Sequence, residues 1–527
     1  MGKSCPMETC YMKTKIGLDE SHKIGTTSSS PFSGSPTFDQ IPFHVDAGCK
    51  PALGTYVVVE GDNMNAVHYG RIIEGTEENP RAEPTRLQQN QAYQVGQRDP
   101  RTGDRSPHVT RIMMVEVLGE IHSQNDGMEI REAKSLAQTG KGVYQIPADL
   151  IPILLNTPTS PDEGLYLGNI QSGDDEVGLI LPMEALARHI AVVGKTGVGK
   201  SYAVGVVVEE LARLGIPVLA FDVLGDFREA TEDLGGCNLT GGVNFRVPYS
   251  LIGAGEFLNF MPNLTVDQRE IITAAYERIG GQALDDLDRA GNVSLNIDSL
   301  VTEIEDTATA FGQAAVGGRA VTKVRAAYNR SSVLTVGIGD WIEELKTKPI
   351  VNVFIGRLSQ NSRNLLVGAA ARIIQTLRRR EMIPPCVFIL DEAHFFLPSG
   401  GATTPSTQII REMIRTARHD AIGIVLISQS PGSMDKQALL TCNTRLIFAL
   451  DKEDLSTVAG TIDAPDAVIS RIPKQAKGTA ILTSGTDIMR HSATIRIRQR
   501  KTREGAPTPN LAKGVKVWRE KNQKPTF

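Results

Sequence analysis

No run of 18 apolar residues occurs anywhere in the 527 residues, so a membrane-spanning helix is not expected. The start, Met1 to Cys10, lacks the basic-then-apolar order of a secretory signal. Cysteine is sparse: Cys5, Cys10, Cys49, Cys237, Cys386 and Cys442 include no C-x-x-C pair and no zinc-type spacing. That usage suits a reducing compartment, with the thiols acting as small hydrophobes. Excess charge of one sign is also missing, since 56 Lys and Arg face 60 Asp and Glu for a net charge of -4. A surface coated uniformly for nucleic acid is therefore excluded, and any DNA contact must be local. A soluble, cytoplasmic protein of two or more domains is expected, long enough to bury large cores without staples.

What is present is a phosphate loop. Gly194-Lys195-Thr196-Gly197-Val198-Gly199-Lys200-Ser201 fits G-x-x-x-x-G-K-[ST], whose glycines let successive backbone N–H groups converge on phosphate oxygens. Lys200 is placed for the β- and γ-phosphates of a nucleoside triphosphate, and the Ser201 hydroxyl for Mg2+. His189 to Val193 reads as a buried strand before the loop, and Ser201 to Leu214 as a helix after it, so the phosphates meet a helix N-terminus. A fortuitous glycine-rich turn would lack those flanks.

Residues 1 to about 40 are rich in Ser, Thr, Gly and Pro and read as a flexible tail. From 41 to 180, short β runs (Thr55 to Glu60, His68 to Glu74, Arg111 to Ile121) suggest a small β-barrel that serves assembly or a partner. The polar stretch Thr76 to His108 between them reads as a long surface insertion. From 181 to 495 strand and helix signals alternate as in parallel α/β folds, interrupted by a helical insertion over about 250 to 345. Pro217 to Phe221, Ile350 to Ile355, Cys386 to Leu390, Ile422 to Ile427 and Arg445 to Leu450 are the expected core strands. Arg496 to Phe527 holds ten Lys or Arg and two acids, a basic extension.

Val387-Phe388-Ile389-Leu390-Asp391-Glu392 is an apolar strand ending in two acids. Downstream of a phosphate loop, the strand beside that loop delivers its Asp, here Asp391, to the metal shell, and Glu392 is placed to polarise the attacking water as general base. Gln429, after the strand Ile422 to Ile427, is a candidate γ-phosphate sensor; a loop amide capping a turn is the alternative. Asp222 and Asp226 follow the strand ending at Phe221 and could stand behind the site, with turn-forming acids as the other reading. On an expected helix from Gln408 to Asp420, Arg411, Arg415 and Arg418 share a face. A solvated basic face explains that spacing, and so does an arginine donated across a subunit boundary, for which Arg418 is preferred. Arg357 and Arg363 flank a polar loop that could touch DNA phosphates, although exposed loops carry arginines routinely.

Taken in order, these residues resemble the HerA family of hexameric DNA translocases, in the HerA–FtsK group of P-loop ATPases. The resemblance is carried by Arg188-His189-Ile190 leading into the loop, Phe221-Asp222 with Gly225-Asp226-Phe227, and Leu390-Asp391-Glu392-Ala393-His394. Arg418-His419-Asp420-Ala421-Ile422-Gly423, Ser428-Gln429-Ser430-Pro431 and Cys442-Asn443-Thr444 complete it over about residues 180 to 500. It implies a RecA-like core behind an N-terminal β-barrel, ATP and Mg2+ as cofactors, a homohexamer, and double-stranded DNA as the track. It also implies Gln429 as sensor, Arg418 as a finger acting in trans, Arg188 as a second basic residue near the nucleotide, and the basic C-terminal tail as a brace on the neighbouring protomer. Asp226 stands where relatives usually have Glu. Relatives work with a NurA-type nuclease in end resection, or with sirtuin-like or other effectors in antiphage systems. The runner-up is a ring scaffold whose ATP binding licenses an effector without processive translocation.

Overall fold

The computed structural model describes residues 16–29, 34–61, 66–78, 110–124, 127–261, 263–401 and 404–505, together with residue 515. They fall into two compact units.

The first unit contains a closed barrel. Its strands are β1 (Lys23–Thr27), β2 (Gln40–Val45), β3 (Tyr56–Glu60), β4 (Ala66–Glu78), β5 (Thr110–Gln124), β6 (Gly127–Arg131) and β7 (Gly142–Gln145). The order β2-β1-β7-β3-β4-β5 closes through pairing of β5 with β2, and β6 is a hairpin arm on β5. Closure leaves no free edge among the six. Ile24, Ile41, Phe43, Val57, Val59, Ile72, Val115 and Val143 fill the interior. At Gly70 a β-bulge breaks the β4–β5 register, and a Cβ there would lie 2.1 Å from the Glu116 carbonyl oxygen. That contact is why the barrel corner takes glycine.

Two boundaries differ from the sequence reading. The strand β1 lies inside the segment read as a flexible tail, because pairing with β2 and β7 orders a stretch whose composition alone is loop-like. Ile462–Lys474 and Ile481–Arg496, read as part of the ATPase domain, belong to the barrel unit. Arg71 gives a physical reason. Its buried guanidinium needs partners, and Glu116 (2.6 Å) and the Ser492 carbonyl (2.5 Å) supply them. Thr76 to Glu78 of the expected insertion are the end of β4, paired with Thr110 to Ile112; residues 79–109 lie outside the described residues. Two further strands of this unit, β8 (Gly164–Ser172) and β9 (Asp175–Pro182), pair with each other.

The second unit is a parallel α/β sheet of β10 (Ile190–Val193), β11 (Val218–Asp222), β12 (Cys237–Thr240), β15 (Ile350–Phe354), β16 (Cys386–Leu390), β17 (Ile422–Ser428) and β18 (Thr444–Ile447). A short parallel pair, β13 (Val247–Pro248) with β14 (Leu334–Thr335), frames the insertion. The order is β12-β15-β11-β16-β17-β10-β18, all parallel. Every residue of β10, β11, β16 and β17 is buried, as expected of strands covered on both faces. The architecture is the RecA-like P-loop core expected from the sequence, with one correction. The strand carrying Asp391 is not beside the phosphate-loop strand; β17 lies between them.

Three helices, Val266–Ala290, Ile297–Ala310 and Ala314–Arg330, make up most of the insertion. The first opens on a capping box between Thr265 and Gln268 and ends at Gly291, whose φ of 69° suits the left-handed cap. Tyr249, Phe257, Tyr276 and Tyr328 stack into its aromatic core.

Candidate functional site

The phosphate loop grows from the carboxyl end of β10. Gly194 N–H donates to the Ser428 carbonyl at 3.3 Å and Lys195 N–H to the Ala449 carbonyl at 2.9 Å, which ties the loop to both flanking strands. Gly197 (φ 81°) and Gly199 (φ 112°) hold backbone conformations that side chains resist, and that lets the N–H groups turn inward. The helix Lys200–Arg213 then starts beneath the loop. The Lys200 ammonium bridges the loop's mouth by donating to the Lys195 carbonyl at 2.9 Å. Burial pushes its pKa down, against the pull of Glu392, Asp391 and Asp226. Phosphate oxygens would restore the charge that burial disfavours.

Four carboxylates converge at the carboxyl ends of β11 and β16. Asp222 is fully buried and accepts from the N–H groups of Gly225 (2.6 Å), Asp226 (3.2 Å) and Phe227 (3.0 Å), so it organises its own loop. That is the turn-forming reading for Asp222. Asp226, which that loop presents, accepts the Ser201 hydroxyl at 2.6 Å. Asp391 accepts from Val223 N–H at 3.3 Å, and its pKa is well above the usual carboxylate range because of burial, with Asp222 and Glu392 adding to the effect. Glu392 is 3% exposed and sits in the left-handed region (φ 48°, ψ 50°), a conformation that costs a non-glycine residue on the order of 1–3 kcal/mol and concentrates at functional sites. Burial raises its pKa, opposed by Lys200 and by the Gln429 N–H. The Gln429 side chain reaches the loop itself, accepting from Thr196 Oγ1 at 2.6 Å.

These groups fit a hard divalent cation. The donors are all oxygen, and the carboxylates exceed the single lysine among them. No group of three or more His, Cys, Asp or Glu among the described residues could hold a metal ion alone. An ion completed by phosphates and water, as Mg2+ commonly is, matches that pattern.

The arginines lie elsewhere. Arg188 precedes β10, at the strand end opposite the phosphate loop, and its carbonyl accepts from Asn443 N–H at 3.0 Å. Arg418 precedes β17, whose seven residues span about 20 Å, so it cannot meet Gln429 within one protomer. The helix expected to reach Asp420 stops at Thr416, and Ala417–Asp420 is a separate 3₁₀ turn. Arg418 is therefore off the face of Arg411, which pairs with Asp435, and Arg415, which donates to Gln437 at 3.3 Å. Arg418 is exposed, its Nε 3.5 Å from His419. Of the two loop arginines, Arg357 is exposed, while Arg363 folds back and donates to the carbonyls of Ile355 (3.0 Å) and Gly356. Arg363 thus braces its own loop through Nε and Nη2.

A further element escaped the sequence reading. Ile497 N–H donates to the Gly478 carbonyl, and Gly478 N–H donates to Val198 of the phosphate loop, each at 2.9 Å. The chain then runs as a clasp along the helix Lys200–Arg213. Arg498 pairs with Glu209 and Glu210, both at 2.8 Å, and all three side chains are buried. Lys501 N–H, Thr502 N–H and the Thr502 hydroxyl all donate to Glu209 Oε1. Gly205 leaves room for the Arg500 guanidinium, since a Cβ there would lie 2.4 Å from its Cζ. Two adjacent glutamates in a buried helix were the available signal. The part of the basic tail described as far as Gly505 braces this unit in cis; 506–514 and 516–527 lie outside the described residues.

Comparison with known proteins places this chain beside DNA helicases and P-loop ATPases. Residues 165–374 match the family model for the central domain of helicase HerA. The chain is 23% identical over 460 residues to the DNA double-strand break repair helicase HerA of Saccharolobus solfataricus, covering 79% of this chain and 85% of that protein. It is 22% identical over 360 residues to the protein of the same name from Sulfolobus acidocaldarius, covering 60% and 71%. Among solved structures it is similar to VirB4 of Thermoanaerobacter pseudethanolicus, with 14% identity, a TM-score of 0.48, and 64% and 97% of the two chains covered. Residues 165–374 are thus similar to the HerA central domain, and the chain is a P-loop ATPase.

Proposed function

We propose, for a chain similar to the HerA central domain, an ATP-driven ring of six protomers that moves double-stranded DNA through its channel, in the cytoplasm, beside a partner nuclease or other effector. The observation that carries the reading is the separation of Arg418 from Lys200, Asp391 and Glu392 by the length of the sheet. An exposed arginine at the wrong end of its own sheet is suited to a neighbour's nucleotide. A heterologous interface that closes by rotation brings the two ends together. No helix among the described residues is long and apolar enough to cross a membrane.

In this reading Lys200 leaves the Lys195 carbonyl for the β- and γ-phosphates. Ser201 and Asp391 would hold Mg2+, which supplies charge neutralisation on the phosphate oxygens when bound. Asp226 accepts from Ser201 and fixes its hydroxyl. Glu392 takes the proton of the attacking water, Gln429 links the γ-phosphate to the loop through Thr196, and a neighbour's Arg418 stabilises the charge that develops.

The test is ATP turnover by the full chain with and without duplex DNA across a salt series. Stimulation should be independent of sequence and should fall steeply with salt, as phosphate contacts do. Replacing Arg357 by Ala should cut stimulation and leave basal turnover and ring assembly unchanged. The scaffold reading draws on one observation: Arg363 spends Nε and Nη2 on its own loop, which leaves it fewer donors for DNA. If duplex DNA neither binds at low salt nor stimulates turnover, with any partner present, the motor reading fails and the scaffold takes its place.

A further inference from the structure

The chain leaves β16 abruptly. Glu392 takes the left-handed conformation, and Ala393–Phe395 form one 3₁₀ turn. That turn folds His394 back toward the acid it follows. His394 Nδ1 lies 3.3 Å from Glu392 Oε2 and 3.4 Å from Ser428 Oγ. Ser428 is the last residue of β17, immediately before Gln429, and its hydroxyl also accepts from Ser430 N–H at 3.2 Å. The imidazole thus stands between the end of the Asp391-Glu392 strand and the end of the Gln429 strand.

Two further observations mark this contact. Glu392 Oε2 is buried with no hydrogen-bond partner at normal geometry, although its side chain is only 4% exposed. A buried carboxylate oxygen in that state is costly unless a donor stands close, and His394 Nδ1 is the ring atom beside it. The ring itself is restrained, its centroid 4.3 Å from that of Phe395. Burial pushes the His394 pKa below its usual range, which suits a neutral ring that donates without taking the proton meant for Glu392.

We propose that His394 is a positioning residue for Glu392, holding Oε2 from the side of Ser428 and so fixing the carboxylate in register with Gln429. The proposal rests on Glu392 as general base. A carboxylate free to rotate about its last bonds would present the wrong oxygen or the wrong angle to water. Misplacement on the order of 1 Å at a reacting group costs as much as about a hundredfold in rate. A histidine that merely fills space would leave the rate alone once the space was refilled.

The experiment compares the wild-type full chain with His394→Ala, His394→Asn, His394→Gln and Glu392→Gln. It measures steady-state ATP turnover together with equilibrium binding of a non-hydrolysable fluorescent ATP analogue in Mg2+. His394→Ala should lower kcat by about ten- to a hundredfold, with KM and analogue affinity near wild type. Asn places an amide nitrogen where Nδ1 stood and should recover most of the loss; Gln, whose amide reaches the Nε2 position, should not. Should the Ala chain fail to bind the analogue because it does not fold, the Asn-over-Gln order carries the test. Wild-type kcat in His394→Ala, or equal rates for Asn and Gln, overturns the proposal. Glu392→Gln separates the two failures. If it is inactive while His394→Ala is fully active, only the positioning role falls; if it turns over ATP normally, the base assignment falls and takes this role with it.

Discussion

The carboxyl ends of β10, β11, β16 and β17 gather Lys200, Ser201, Asp222, Asp226, Asp391, Glu392 and Gln429, while the amino ends of β10 and β17 carry Arg188 and Arg418. The first set is partly or wholly buried and bonded to itself. Arg418 is exposed, and the His419 ring beside it at 3.5 Å is a weak partner. One end of the sheet therefore suits a polyanion, with loop amides and a lysine surrounded by acids, and the other end presents Arg418 at the surface. The lesson is one of economy in parallel sheets. Every strand points its functional end the same way, so a group needed at that end from the opposite edge has to come from another copy.

Mixed rings put the greatest strain on this contrast. Arg418→Ala should reduce kcat by about 10³–10⁵-fold, the range for a transition-state arginine, while nucleotide binding persists. Lys200→Ala should abolish turnover by removing the cation from the phosphates. Co-assembled from both variants, hybrid rings should regain turnover, because some boundaries pair an intact phosphate loop with an intact arginine. Confirmed hybrids with no recovery would place Arg418 outside the reaction.

At the acidic end, Glu392→Gln should lower turnover by about 10²–10⁴-fold and retain bound ATP, since it removes the base and keeps the shape. A turnover near wild type would reassign the base.

The smallest effect concerns stability rather than rate. Asp391 has its folded-state pKa raised by burial and by Asp222 and Glu392. A raised acid contributes its stability below its unfolded value of 3.8 and loses it as pH rises through the folded value. Asp391→Asn should therefore raise the melting temperature of the nucleotide-free protein at neutral pH by on the order of a few degrees, and the gain should vanish toward pH 4. Equal melting curves at both pH values would mean that the acid cluster carries no such cost.

The parallel strands were legible in the sequence because covering both faces turns them into plain apolar runs, as in Val387 to Leu390. The phosphate loop, Asp391, Glu392 and Gln429 were legible because each ends such a run. The barrel was only half so. The strand β1, Lys-Ile-Gly-Thr-Thr, has weak β character, and two antiparallel neighbours make it a strand. Arg363 and Arg357 look alike in sequence, and only the fold of the loop decides which one spends its donors on carbonyls. The break at Thr416 was hidden too, because Ala417 and Arg418 are good helix formers and the chain leaves the helix to set Ala421 left-handed before β17. The pairing of Glu209 and Glu210 with Arg498 joins residues far apart in the chain, which no local pattern in the helix announces.

That separation turns the clasp into a clock. The helix under the phosphate loop is made early, but the partners of Glu209, Glu210 and Tyr202 lie 288 to 298 residues downstream. Ribosomes add about 5–20 residues per second, so those partners follow about 15–60 s later. Until then Glu210 has Arg213 of its own helix as counter-charge, at 3.0 Å, whereas Glu209 lacks the Arg498 guanidinium that it meets at 2.8 Å in the folded chain, and burying a carboxylate with its partner removed costs about 3–5 kcal/mol. The Glu209 face of the helix gains its final partners only once Arg498 and Thr502 have emerged.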